Sequence, residues 1–98
     1  MKKKFIVAVD DPTAEQKKKI SEFFKGNYGW WHWIDGFWMV TDPSGELTAT
    51  KIRDKIGELA PNTRCMVLEV KDSGSWAGYG PSKESKNMFK WIRETWFK

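Results

Sequence analysis

Four of the chain's seven tryptophans fall within nine residues, Trp30, Trp31, His32, Trp33, Ile34, Asp35, Gly36, Phe37 and Trp38. The Asp35-Gly36 pair is a preferred two-residue connection between strands, because both central positions of a primed turn need positive φ and these residues tolerate it. Strands are therefore predicted over residues 28–34 and 37–41. Zipping back from the turn sets Ile34 opposite Phe37, Trp33 opposite Trp38, His32 opposite Met39 and Trp31 opposite Val40. One face then carries Trp31, Trp33, Trp38 and Val40, and the other Trp30, His32, Ile34, Phe37 and Met39. Neither face is polar, so the hairpin needs cover on both sides.

Around this hairpin the chain alternates element types. Residues 5–9 form an apolar, partly β-branched run that stops at Asp10, Asp11 and Pro12, a buried strand entering a turn. Thr13 with Gln16 makes a capping box, and Ile20, Phe23 and Phe24 recur at helical spacing until Gly26 and Asn27. After a turn at Asp42, Pro43, Ser44 and Gly45, Thr48 caps a second helix with the stripe Ala49, Ile52, Ile56 and Leu59, closed by Pro61. Residues 65–70 are predicted as a strand, 72–82 as a loop and 83–97 as a last helix.

This order defines one domain over residues 1–98, of α+β class: a ferredoxin-like βαββαβ sandwich, with a four-stranded antiparallel sheet and an added C-terminal helix. Right-handed crossovers give the strand order fourth, first, third, second, with the first two helices on one face. The other face must be covered by the C-terminal helix with Phe89, Ile92 and Trp96, by a second copy of the chain, or by stacked bases. A bare patch of tryptophans would exceed what monomers usually expose, which favours a homodimer whose interface includes Trp30, Trp31, Trp33 and Trp38.

Seventeen Lys and Arg against 13 Asp and Glu give a net charge of +4, which favours an anionic partner without requiring one. Lys17, Lys18 and Lys19, with Lys2 to Lys4, Lys25, Arg53 and Arg64, are the candidate phosphate contacts; a solvated helix face is the alternative for the lysine run. The single cysteine, Cys65, sits in an apolar run and points to a reducing, cytoplasmic setting. The start of the chain imitates a signal peptide, but its apolar run is short and ends at Asp10 and Asp11. No segment approaches membrane-spanning length.

In the expected topology Asp10, Asp11 and Asp35 reach the same end of the sheet, with Arg64 beside the first strand and His32 two residues back from the turn. Carboxylates gathered there with an imidazole suit magnesium, and Asp10, Asp11, Asp35 and His32 are the candidate ligands. Turn-capping roles for the aspartates and a hydrogen-bonded core role for His32 are the competing account. Gly-rich phosphate loops, paired metal-binding cysteines and a serine or cysteine nucleophile with a base are not found. The glycine-and-aromatic signature of RNA-recognition modules is missing from residues 37–41.

The first strand ending in Asp10, the hairpin with Trp31, His32 and Asp35, and Ile52, Arg53 and Asp54 in the second helix together resemble the SinR-like proteins. These are small phage and bacterial proteins grouped loosely with the ferredoxin-like CRISPR-associated protein 2 family. The resemblance implies a homodimer of ferredoxin-like subunits, with Asp10 matching an aspartate to which metal-dependent nuclease chemistry is assigned in those relatives. The chain departs from them in its Trp- and His-bearing hairpin and its terminal helix, and many members of that family are scaffolds without nuclease activity. The expected function is a non-catalytic, nucleic-acid-associated homodimer in a phage or bacterial-defence setting. A magnesium-dependent nuclease using catalytic Asp10 is one alternative, and a protein-interaction module or inhibitor using exposed tryptophans is the other.

Overall fold

The computed structural model describes residues 2–71 and 74–97; Asp72 and Ser73, at the start of the loop predicted over 72–82, lie outside the described residues. Strands β1 (Lys3–Val9), β2 (Gly29–Ile34), β3 (Phe37–Asp42) and β4 (Cys65–Glu69) and helices α1 (Ala14–Phe24) and α2 (Ala49–Leu59) follow in the chain order β1-α1-β2-β3-α2-β4. The four strands form an antiparallel sheet in the order β2-β3-β1-β4. The protein is thus α+β, with β2 and β4 at the sheet edges. No helix among the described residues is long and apolar enough to cross a membrane.

Both helices start on the caps that the sequence predicts. Thr13 Oγ1 accepts from the Gln16 amide at 3.1 Å while Gln16 Oε1 accepts from the Thr13 amide at 2.9 Å, and Thr48 Oγ1 accepts from the Lys51 amide at 3.1 Å. Their apolar stripes close over one face of the sheet. Ile20 and Phe24 of α1 and Ile52 and Ile56 of α2 pack on Phe5, Val7 and Val9 of β1 and on Trp38 and Val40 of β3, all buried. Trp38 is fully enclosed, and its indole N–H donates to Ser21 Oγ at 3.1 Å.

The hairpin register differs from the zipped prediction. Ile34 pairs with Phe37 as expected, but Trp31 pairs with Met39 and Trp30 with Val40, so His32 and Trp33 together oppose Trp38. This two-against-one bulge exchanges the faces of everything before it, since a slip of one residue flips each side chain across a sheet. Trp30 joins the helix-covered side and Trp31 the opposite side. The turn differs too: neither Asp35 nor Gly36 has positive φ. The adjacent bulge adds local right-handed twist, which a primed turn would otherwise supply. Gly36 is required for another reason. Its carbonyl accepts from the Val9 amide at 2.7 Å, and a Cβ there would run into the Val9 carbonyl oxygen.

The chain itself covers part of the second face. Met88, Ile92 and Trp96 bury against Trp31, joined by Ile6, Phe37 and Met39 of the sheet, and the Trp31 indole N–H donates to the Met88 carbonyl at 2.6 Å. The helix predicted over 83–97 is shorter than expected. A small hairpin of β5 (Ser82–Lys83) and β6 (Lys86–Asn87) precedes it, and the wide helical turn Ile92–Trp96 is closed by the Phe97 amide on the Ile92 carbonyl. Residues 83–87 carry no apolar side chain that a helix could bury, and Asn87 Oδ1 instead accepts from the Phe89 amide.

Candidate functional site

At the end of the sheet where β1 and β2 finish, the predicted carboxylates are near one another in topology but do not converge. The Asp10 carboxylate accepts two hydrogen bonds from Arg64, at 3.1 Å from Nε and 2.8 Å from Nη2, and the Asp10 amide donates to the Arg64 carbonyl. Asp35 is held by Lys17 at 2.6 Å. That hydrogen bond and charge keep the Asp35 carboxyl below its usual range, with a smaller contribution from His32. Asp11 is exposed in a left-handed conformation at the turn into buried Pro12. His32 lies flat on Trp38, with ring centroids 4.1 Å apart and planes 6° apart, and its Nε2 is 2.9 Å from the Asp35 carbonyl oxygen.

Among the described residues no three His, Cys, Asp or Glu side chains gather closely enough to hold a metal ion. Asp10, Asp11, Asp35 and His32 are thus not gathered into one cluster of metal donors. Asp10 and Asp35 each carry a cationic partner, and His32 Nε2 lies against a carbonyl. This is a structural clasp joining β1, β4, the hairpin turn and α1.

The helix cations are largely neutralised where they stand. Lys19 pairs with Glu15, Arg53 with Asp54 and Lys55 with Glu58, as Lys17 does with Asp35 and Arg64 with Asp10. Of the predicted phosphate contacts on the helices, Lys18 has no such ion pair among the described residues, because consecutive lysines point in different directions around a helix. A group of cations without an ion pair among the described residues lies at the opposite end of the sheet. Lys2 Nζ donates to the Thr95 carbonyl at 2.5 Å, and Lys4 Nζ sits 5.2 Å and 5.5 Å from the ring centroids of Trp96 and Phe97. The Val70 amide donates to the Lys4 carbonyl at 2.8 Å, and exposed Lys71 follows one residue beyond this pairing. Burial, and the charge of Lys4 beside it, push the Lys2 ammonium below its ordinary range. Among the described residues, none of these three lysines meets a carboxylate.

The four hairpin tryptophans do not form one exposed surface. Trp38 and Trp31 are buried beneath the chain's own α1 and C-terminal segment, Trp30 is half-buried, and Trp33 is 39% exposed. Apolar side chains left open include Ile34 of β2, Trp76 and Tyr79 of the loop before the C-terminal segment, and a pair on β4. Met66 and Leu68 are 61% and 54% exposed on the face away from the helices, opposite Ala8 and Ile6 of β1. Residue-by-residue motif search overlooks this pair. The predicted strand order could have found it, since it puts the last strand at an edge and alternation turns Met66 and Leu68 away from the helices.

Concavities accompany these surfaces, one of about 190 Å³ lined by Lys2, Lys4, Trp96 and Phe97. A cleft of about 390 Å³ opens between the second face and the C-terminal segment, with Trp31, Phe37, Met39, Trp76 and Trp96 among its walls. A shallow groove of about 550 Å³ runs beside the start of β4, lined by Ala8, Val9, Asp10, Arg64, Cys65 and Met66. No family model, curated protein or solved structure matches the chain.

Proposed function

We propose that this chain is a small, non-catalytic, homodimeric protein of ferredoxin-like fold that associates with nucleic acid through the cationic end formed by Lys2, Lys4 and Lys71. The observation that carries this reading is the proximity of the Lys2 and Lys4 ammonium groups, with exposed Lys71 at the same end of the sheet and no carboxylate partner among the described residues. Burial and the charge of Lys4 push the Lys2 ammonium below its ordinary range, and a phosphate there would offset that repulsion. Support for the fold assignment comes from the strand order, β4-β1-β3-β2 from the other edge, with α1 and α2 packed on one face. The exposed β4 edge, with Met66 and Leu68, supports self-association. The non-catalytic role is favoured because Asp10, the residue matched to a nuclease aspartate, is occupied by Arg64. The phage or bacterial-defence setting rests on the SinR-like resemblance, and a cytoplasmic one on the reduced thiol of Cys65.

The test is fluorescence anisotropy of a labelled single-stranded oligonucleotide titrated across a salt series. Binding that weakens with salt is expected. The double variant Lys2→Gln/Lys71→Gln should flatten the dependence of log K on log salt by roughly 1.4, two contacts at about 0.7 each for a single strand. Lys18→Gln/Lys25→Gln should leave it unchanged. Absence of binding by the parent protein at low salt removes the nucleic-acid reading.

A further inference from the structure

The outer edge of β4 is self-complementary in one register. In an antiparallel ladder the residues that exchange hydrogen bonds with a neighbour alternate with those whose N–H and C=O point the other way. The Asp10 amide bonds to the Arg64 carbonyl and the Val70 amide to the Lys4 carbonyl, so Arg64, Met66, Leu68 and Val70 face β1. Cys65, Val67 and Glu69 therefore turn their main-chain groups outward. Among the described residues no backbone hydrogen bond from another segment reaches them.

We infer that two copies of this chain pair β4 to β4 antiparallel about a two-fold axis through Val67, joining their sheets edge to edge. This inference rests on the homodimer reading above and specifies its interface. Three pairs form: Cys65 with the partner's Glu69, Val67 with the partner's Val67, and Glu69 with the partner's Cys65. Each pair exchanges both main-chain bonds, and every outward group of the strand is used. Sliding the strands by two residues keeps the parity but loses one of the three pairs.

Side chains favour the same arrangement. The register sets Met66 directly opposite the partner's Leu68 in a non-hydrogen-bonded pair, where Cα atoms approach to about 4.5 Å and side chains lie closest. The two most exposed aliphatic side chains of the strand thus cover each other. The partner's Leu68 would enter the shallow groove beside Ala8 and Met66.

The experiment uses the full chain carrying Cys65→Ser, with Met66→Cys in one preparation and Leu68→Cys in another, both at exposed positions. Light scattering after size exclusion first establishes whether each is a dimer. The preparations are then exchanged into mixed dimers, oxidised mildly and resolved on a non-reducing gel. Directly opposed positions at about 4.5 Å fall within disulfide reach, whereas the diagonal separation of about 7 to 8 Å within each unmixed dimer falls outside it. The expected result is a mixed cross-linked dimer at least tenfold more abundant than that from either preparation alone. A dimer by light scattering without this selectivity, or with equal cross-linking in all preparations, overturns the register and leaves the homodimer standing. A monomer at all accessible concentrations overturns both.

Discussion

The two faces of the sheet are closed by different means, although a tryptophan pins the cover on each. On the first face Trp38 donates its indole N–H to Ser21 of α1, under two helices of three turns each. On the second, Trp31 donates to the Met88 carbonyl of a segment made of loop, two-residue strands and one wide helical turn. The first cover brings its own capped, hydrogen-bonded framework. The second is held mainly by its side chains, and a cleft of about 390 Å³ remains beneath it. A segment with little regular structure of its own has less to lose by opening locally. Equal burial of a tryptophan therefore does not imply equal cooperativity.

The largest expected effect tests that difference directly. Trp38→Ala should cost about 3 to 5 kcal/mol, the range for large aromatic truncations in cores, and lower the stability reported by every probe together. Trp31→Ala should instead remove amide-exchange protection from residues 88–97 first while β1 and β3 stay protected. Loss of protection across the whole chain in both variants would show the two faces to be one cooperative unit.

Next in size is Asp42, buried at the end of β3. Burial pushes its carboxyl up, but hydrogen bonds from the amides of Leu47, Ser44 and Gly45 and from the Ser44 hydroxyl outweigh this and leave it below its ordinary value of 3.8. A carboxyl depressed by folding stabilises the native state above its unfolded pKa. The stabilisation is lost as pH falls from there through the folded value. Urea midpoints measured between about pH 5 and pH 2 should fall in that window, and the fall should be shallower in Asp42→Asn, itself about 2 kcal/mol less stable at neutral pH. An unchanged slope in the variant would assign the acid sensitivity to other groups.

Smaller effects should follow at the caps and clasps. Thr13→Ala removes one half of the capping box and should cost about 1 kcal/mol by denaturant unfolding, loosening α1 without touching the second face. Arg64→Ala breaks the pair with Asp10, but both side chains are more than half exposed, so the loss should stay under about 1 kcal/mol. A loss several times larger would make the Arg64 clasp a main support of the β1–β4 end.

Local chemistry made much of this legible. Thr13 with Gln16, and Thr48 before an apolar stripe, place helix starts because few other residue types satisfy the orphan amides. The α+β class and four-stranded antiparallel sheet follow from where the apolar period changes from 2 to 3.6. The bulge at His32 and Trp33 was not legible, because every residue from Trp30 to Ile34 except His32 is apolar and both registers bury aromatics. The small hairpin at 82–87 gave no apolar pattern to read. At the candidate site, the sequence showed which residues carry charge but not which charges cancel. Lys17 and Asp35 are 18 positions apart and Arg64 and Asp10 are 54 apart, separations at which only the fold decides partners.

The bulge gives the hairpin a property akin to a phase shift in an alternating signal. Before it, odd-numbered Trp31 faces the C-terminal segment; beyond it, even-numbered Ile34 contributes to the same side's cleft. Removing a single residue at 32 or 33 would restore regular alternation while leaving Trp31 opposite Met39 and Trp30 opposite Val40, on the layers they now occupy. At these two positions the strand can lose a residue without moving an aromatic, whereas a deletion in β3 at Met39 or Val40 has no extra residue to absorb it.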